Sequence, residues 1–147
     1  MDMTMPLIRV AETDSDILRC LPVLVELRPH LAEETFLSTI RQMQTNGYHL
    51  VMLEADGHIA AVAGYRFSEH LARGKFVYVD DLVTTSSARR KGYGKQLLDW
   101  LMRMTESAGG KELHLDSGIQ RTEAHAFYEA QKMVFSSRHY SLKLSGT

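Results

Sequence analysis

Tyr78-Val79-Asp80-Asp81-Leu82-Val83-Thr84-Thr85-Ser86-Ser87-Ala88-Arg89-Arg90-Lys91-Gly92-Tyr93-Gly94-Lys95-Gln96-Leu97-Leu98 decides the reading of this chain. An apolar run ends in two aspartates. A short polar turn follows, then four cations interleaved with two glycines, then a helical apolar pattern. Strand, turn and glycine-rich helix start together make an anion site. The first N–H groups of a helix lack intrahelical partners, and the helix dipole places partial positive charge there. Gly92 and Gly94 allow a ligand to approach the backbone. Arg89, Arg90, Lys91 and Lys95 add positive charge, and no acid lies among residues 82–98. The pattern suits a polyphosphate better than a single carboxylate.

Two common phosphate motifs fail on spacing. A Walker loop needs a glycine where Arg89 stands and Ser or Thr where Gln96 stands. A dinucleotide fingerprint needs Gly or Ala at position 97, which is Leu97, and a first glycine directly after the strand.

The spacing Arg89-x-x-Gly92-x-Gly94, after a strand carrying Asp81-Leu82-x-Thr84, resembles motif A of the GNAT superfamily of acetyl-CoA-dependent N-acetyltransferases. Arg121-Thr122-Glu123-Ala124-His125-Ala126-Phe127-Tyr128-Glu129 resembles the family's motif B helix. The likeness follows nearly the whole chain in element order and is specific over roughly residues 79–135. Two positions depart from it: Arg121 stands where many members have asparagine, and Lys132 where many have glycine.

Composition sets the outer bounds. A chain of 147 residues is expected to form one domain, residues 1–147, around one core. The net charge of −1 gives no whole-molecule attraction to nucleic acid or to an anionic membrane, so the cations at 89–95 act locally. Cys20 is the single cysteine, which excludes an intrachain disulfide and favours a reducing compartment. No apolar run reaches the ~18 residues of a membrane span, and no signal-peptide pattern is evident. The expected location is the cytoplasm.

Periodicity predicts the order β-α-α-β-β-β-α-β-α-β-β. Leu7 to Val10 reads as a strand, and Thr13-Asp14-Ser15-Asp16 as a helix start. Pro22 is expected to kink or interrupt that helix and Pro29 to end it. Phe36, Ile40 and Met43 mark a second helix. Strands at His49–Glu54 and Ile59–Phe67 are joined by Asp56-Gly57, a two-residue hairpin signal. Lys75–Thr84 is the next strand. Tyr93, Leu97, Trp100, Leu101 and Met104 share a helix face that Gly109-Gly110 closes. Glu112–Asp116 follows as a strand, then a helix at Arg121–Gln131, then one or two strands within Phe135–Leu144. The predicted class is α/β, with a mixed sheet of six to seven strands and about four helices. The resemblance implies a sheet whose central parallel strands splay apart, with acetyl-CoA in the opening.

Successive strand side chains face opposite ways, so one of Asp80 and Asp81 is expected to point into that opening. Adjacent carboxylates in a central strand are costly unless something uses or satisfies them. One reading is a general base that deprotonates an ammonium, directly or through water; the other is a strand-end acid paired with an arginine such as Arg66. By family alignment Asp81 takes the acidic position. The resemblance further implies a backbone bulge at Leu82, Val83 and Thr84 whose free groups meet the pantetheine arm and polarise the thioester carbonyl. It assigns Arg89, Arg90, Lys91, Gly92, Tyr93, Gly94 and Lys95 to the cofactor phosphates, and Tyr128 to protonation of the leaving thiolate. On pattern alone Tyr128 is core packing. The seven histidines show no metal spacing. His30, His70 and His139 are candidates for an acceptor pocket. Cys20 lies in a predicted helix beside Leu18 and Leu21, a poor place for a nucleophile.

The expected activity is acetyl transfer from acetyl-CoA to a primary amine, on a small molecule or a peptide, in one ternary complex. Glu26, Glu33, Glu34 and Glu69 lean towards a cationic acceptor. A non-catalytic CoA or acyl-CoA sensor would use the same phosphate cradle without turnover. An RNA-binding module would need several basic patches with exposed aromatics, and only one patch is present. A homodimer is compatible with the sequence.

Overall fold

The computed structural model describes residues 5–145. The first compact unit ends at Leu115, and a second begins at Asp116. In the first unit, β1 (Leu7–Val10) is followed by α1 (Asp14–Leu27), α2 (Glu33–Gln44), β2 (His49–Ala55), β3 (His58–His70), β4 (Gly74–Thr84), a 3₁₀ turn (Ser86–Ala88), α3 (Tyr93–Ser107) and β5 (Glu112–Leu115). The second unit contains α4 (Thr122–Ala130).

The sheet order is β1-β2-β3-β4-β5. The first four strands are antiparallel neighbours, and β4 pairs parallel to β5. The sheet is mixed, as the sequence predicts. It has five strands among the described residues, not six to seven. The difference lies in the stretch after α4. Tyr140, Leu142 and Leu144 alternate with polar residues, but no ladder forms over Phe135–Leu144, and these side chains are exposed. Alternation marks a chain able to pair; the hydrogen-bonded partner edge is a separate requirement.

Local signals account for most boundaries. Thr13 caps α1, its hydroxyl accepting from Asp16 N–H at 3.1 Å, a contact worth about 1 kcal/mol. Pro22 does not interrupt α1, whose buried face of Ile17, Cys20, Val23 and Leu24 packs on the sheet. Asp56 and Gly57 both take positive φ, 54° and 79°, the conformation a two-residue hairpin turn with the strands' own twist requires.

The core has two layers. Strand β2 sends Leu50 and Met52 to the side of α1 and α2, and Val51 and Leu53 to the side of α3. Both faces are covered, so β2 reads as a continuous apolar run rather than an alternation. Strand β4 is different. Val77 and Val79 face α3, whereas Val83 joins the core under α1 and α2. Side chains two, four and six apart share a strand face, so the phase must slip by one between Val79 and Val83. The pairing shows where: Tyr65 opposes Val79 and Gly64 opposes Asp81, leaving Asp80 as the extra residue of a β-bulge. The resemblance implied a bulge at Leu82–Thr84. These residues instead remain in register opposite Ala63, Val62 and Ala61, and the bulge lies at Asp80.

Candidate active site

The bulge decides where the two aspartates go. Without it they would face opposite sides of the sheet. With it, both reach groups on the α1 side. Asp81 Oδ1 accepts from Arg28 Nε at 2.9 Å, and its Oδ2 accepts from the Tyr48 hydroxyl at 2.8 Å. Asp80 Oδ2 accepts from Arg66 Nε at 2.9 Å. Arg28 Nη2 also donates to the Asp80 carbonyl oxygen at 3.1 Å. Asp80 Oδ1 is buried with no hydrogen-bond partner among the described residues. Burial pushes the Asp80 carboxyl above the usual aspartate range, against the pull of Arg66, and the neighbouring Asp81 carboxylate adds to the rise.

Tyr48 is 2% exposed and stands immediately before β2. The Arg66 guanidinium lies 5.2 Å from its ring centroid. A Cβ placed on Gly64 would sit 1.8 Å from the Tyr48 hydroxyl oxygen. Gly64 thus provides the gap through which the hydroxyl reaches Asp81. Sequence reasoning missed Tyr48, Gly64 and Arg28, and named Arg66 only as a partner for an unused acid. A signal for Gly64 existed, since a lone glycine inside an apolar strand marks close approach of another group.

Beyond the aspartates, β4 and β5 part. Their pairing ends at Val79 opposite Leu115, while β4 continues to Thr84. Among the described residues, 80–84 therefore have β3 on one edge and no paired strand on the other. The chain then enters the 3₁₀ turn and the cradle. Arg90 takes a positive φ of 66°, and Gly92, the residue before α3, takes 80°. Arg89, Arg90, Lys91 and Gly92 are exposed, and Tyr93 and Gly94 half-buried. Gln96 N–H returns to the Gly92 carbonyl at 3.0 Å, so the N–H groups of Tyr93, Gly94 and Lys95 belong to the turn whose donors lack helical partners. Lys95 extends along the helix to Asp99 at 2.9 Å, so its side chain is held away from the glycines.

Glu26 is not an open acceptor-side carboxylate. It accepts from the Thr85 hydroxyl and from Ser86 N–H, the latter at 2.9 Å, which ties α1 to the turn before the cradle. These donors hold its carboxyl below the usual range, against the opposing effect of burial. Glu33 and Glu34 lie in the first turn of α2, and Glu69 near the far end of β3. A cavity of about 470 Å³ lined by Phe67, Glu69, Lys75 and Phe76 lies at the opposite end of β4 from the aspartates. Cys20 is buried, and burial pushes its thiol up to about 12, the opposite of an activated nucleophile. Among the described residues no cluster of His, Cys, Asp or Glu has the arrangement of a metal site. His139 pairs with Asp116 at 3.5 Å, His70 stacks edge-on with Phe76, and His30 lies between α1 and α2.

In the second unit, Tyr128 is half-buried on α4. Burial raises its hydroxyl pKa, and the positive charge of Arg121 works against the rise. Lys132 adopts φ 70°, the left-handed conformation that usually falls to glycine. Lys132 N–H bonds the Glu129 carbonyl and Met133 N–H the Tyr128 carbonyl, both at 3.0 Å. The helix end therefore keeps the turn a glycine would give.

The sequence model of the acetyltransferase (GNAT) family matches residues 12–133. The chain is 38% identical over 120 residues to the uncharacterized N-acetyltransferase YhdJ of Bacillus subtilis, covering 81% of this chain and 84% of that one. Its fold is similar to glucosamine-6-phosphate N-acetyltransferase from Arabidopsis thaliana, with a TM-score of 0.77, 24% identity, and coverage of 97% of this chain and 100% of the other. It is also similar to aminoglycoside N-acetyltransferase AAC(6')-Iy in complex with CoA, with a TM-score of 0.81, 15% identity, and coverage of 97% and 98%. The chain belongs to the GNAT acetyltransferase family.

Proposed function

We propose that this chain, as one acetyltransferase domain, transfers the acetyl group of acetyl-CoA to an amine by direct attack in a ternary complex. The observation that carries the reading is the parting of β4 from β5 just where the acid pair sits and the cradle begins. The free edge of Leu82, Val83 and Thr84 offers N–H and C=O groups to a pantetheine amide and to the thioester carbonyl. The N–H groups of Tyr93, Gly94 and Lys95, with the side chains of Arg89, Arg90 and Lys91, take the pyrophosphate. The proton lost by the attacking ammonium passes to the Asp80–Asp81 pair. Tyr128 supplies a proton to the departing thiolate. A tyrosine hydroxyl, with an ordinary pKa near 10, is protonated at neutral pH, as an acid must be. The acceptor is a small-molecule or peptide amine, and the location is the cytoplasm, where the single unpaired Cys20 fits a reducing compartment.

Thiol release from acetyl-CoA in the presence of polyamines, amino acids, aminoglycosides, sugar amines and peptide N-termini is the test. At least one amine should raise release well above hydrolysis, with a mass gain of one acetyl group on that amine. Tight acetyl-CoA binding with no acetylated product from any class would favour the sensor reading instead.

A further inference from the structure

We propose that Tyr48 is a positioning residue for the acid pair: its hydroxyl, admitted through the gap at Gly64, holds Asp81 as the charged member and leaves Asp80 to take the proton. This rests on the acetyl-transfer reading for its catalytic consequence, and on the geometry of the pair alone for its chemistry.

The groups facing the pair come from four elements. Arg28 from α1 and the Tyr48 hydroxyl ahead of β2 both donate to Asp81, one to each oxygen. Arg66 from β3 donates to one oxygen of Asp80. The remaining charge facing each acid is the other acid on β4. Arg28 hydrogen-bonds only the backbone carbonyl of Asp80, although its charge also pulls on the Asp80 carboxyl. Asp81 therefore has a donor on each oxygen, and Asp80 a donor on one. Donors to the ionised form favour it. When two adjacent carboxylates must share a proton, it goes to the one whose charge is less well satisfied. Tyr48 breaks the symmetry, because each acid has one guanidinium bonded to its side chain and only Asp81 has the hydroxyl as well.

Packing does not explain this hydroxyl. Tyr48 lies in the core with Leu50, Met52, Val62 and Val83, where a phenylalanine ring would bury the same apolar surface. Ring and hydroxyl together require a glycine in the middle of the central strand β3, since a Cβ there would lie 1.8 Å from the hydroxyl oxygen and 2.3 Å from Cζ, and there the glycine weakens the strand. The same ring carries the Arg66 guanidinium on its face. One side chain thus touches Asp81 directly and sets the position of the arginine that bonds Asp80.

The test is titration of the aspartate carboxyl carbons by NMR on the full chain, without substrate. In the parent, the Asp80 carboxyl should titrate above the usual aspartate range; a depressed Asp80 midpoint overturns the proposal. In Tyr48→Phe, the Asp80 midpoint should fall, because the other acid then competes for the proton. An unchanged Asp80 midpoint in a folded Tyr48→Phe protein overturns it. Gly64→Ala, which forces the ring and hydroxyl aside while keeping both, should move Asp80 in the same direction. With the best amine of the panel, the acid limb of the kcat/KM profile should move with the titration, whereas a merely structural Tyr48 would change stability and leave the limb in place. Because the titration needs no turnover, a panel with no acetylated product would overturn the catalytic reading while the midpoints judged Tyr48 separately.

Discussion

Asp80 and Asp81 are neighbours in sequence and chemically identical, yet their surroundings give them different tasks. Asp80→Asn removes the oxygen that gains most from a proton, so turnover near neutral pH is expected to fall by about 10²–10⁴-fold. Asp81→Asn keeps Asp80 and is expected to lose less. Steady-state rates of the two variants check this, and a larger loss for Asp81→Asn would return the proton to the residue that family alignment alone selects. Tyr128→Phe should keep the fold, since the ring that stacks with Phe127 remains. A thiol pKa near 8.5 makes CoA a fair leaving group, so the loss of turnover belongs at about 10²-fold, the low end of the general-acid range. Parental turnover at saturating acetyl-CoA, with chemistry rate-limiting and the melting curve unchanged, would leave Tyr128 a packing residue. At this scale the acids and the tyrosine were legible as residue types. Their partners were not, because Arg28 and Tyr48 meet Asp81 across 53 and 33 positions of chain, and no local pattern encodes such contacts.

Helix ends carry the next set of consequences. Gly92 stands at φ 80° with open space around its missing Cβ. Gly92→Val therefore meets no neighbour, but forces a β-branched residue into the left-handed region, costing roughly 1–2 kcal/mol. It also places methyl groups where a phosphate would approach. Calorimetry on the folded variant is expected to show acetyl-CoA binding weakened by at least tenfold, and undiminished binding would remove the cradle from the mechanism. Lys132 is the converse case, a side chain held at φ 70° at the end of α4. Lys132→Gly should relieve about 1 kcal/mol, read as a rise in denaturation midpoint with the slope unchanged. The elements themselves were legible where periodicity, a cap or a hairpin turn marks them, as at Thr13, Asp56-Gly57 and the apolar face of α3. The bulge at Asp80 was not, because an inserted residue leaves no compositional trace when both strand faces are buried.

For the whole molecule, charge pairs on the β1–α1–β2 side set the response to acid. Asp16 is bonded by Arg9, and Glu54 by Arg19, and these partners hold both carboxyls below their usual values, as does the Thr85–Ser86 contact of Glu26. The folded state then binds protons less readily than the unfolded chain, so this stability is fully present above the ordinary carboxylate range and is lost as pH falls through it. Asp80 runs the other way, its raised carboxyl favouring the folded state only at lower pH, but it is one group against three. Denaturant unfolding at pH 7 and at pH 3.5 should show lower stability in acid, and Asp16→Asn should flatten the difference. The overall class was legible because length, strand order and the glycine-led helix start agree with one another. The strand count was not, because Tyr140 to Leu144 alternate as a strand would while forming no ladder. The slip at Asp80 also has a consequence for how this strand tolerates change. It acts as a parity switch: every side chain after it is odd where it would otherwise be even. Paired into the ladder as an ordinary strand residue, Asp80 would send Asp81 towards α3 and take Val83 out from under α1, withdrawing about 2 kcal/mol of burial from Val83 alone. Deleting Asp80 would instead set Asp81 next to Val79, opposite Gly64 and Tyr65, giving an unbulged strand whose later side chains keep their present sides.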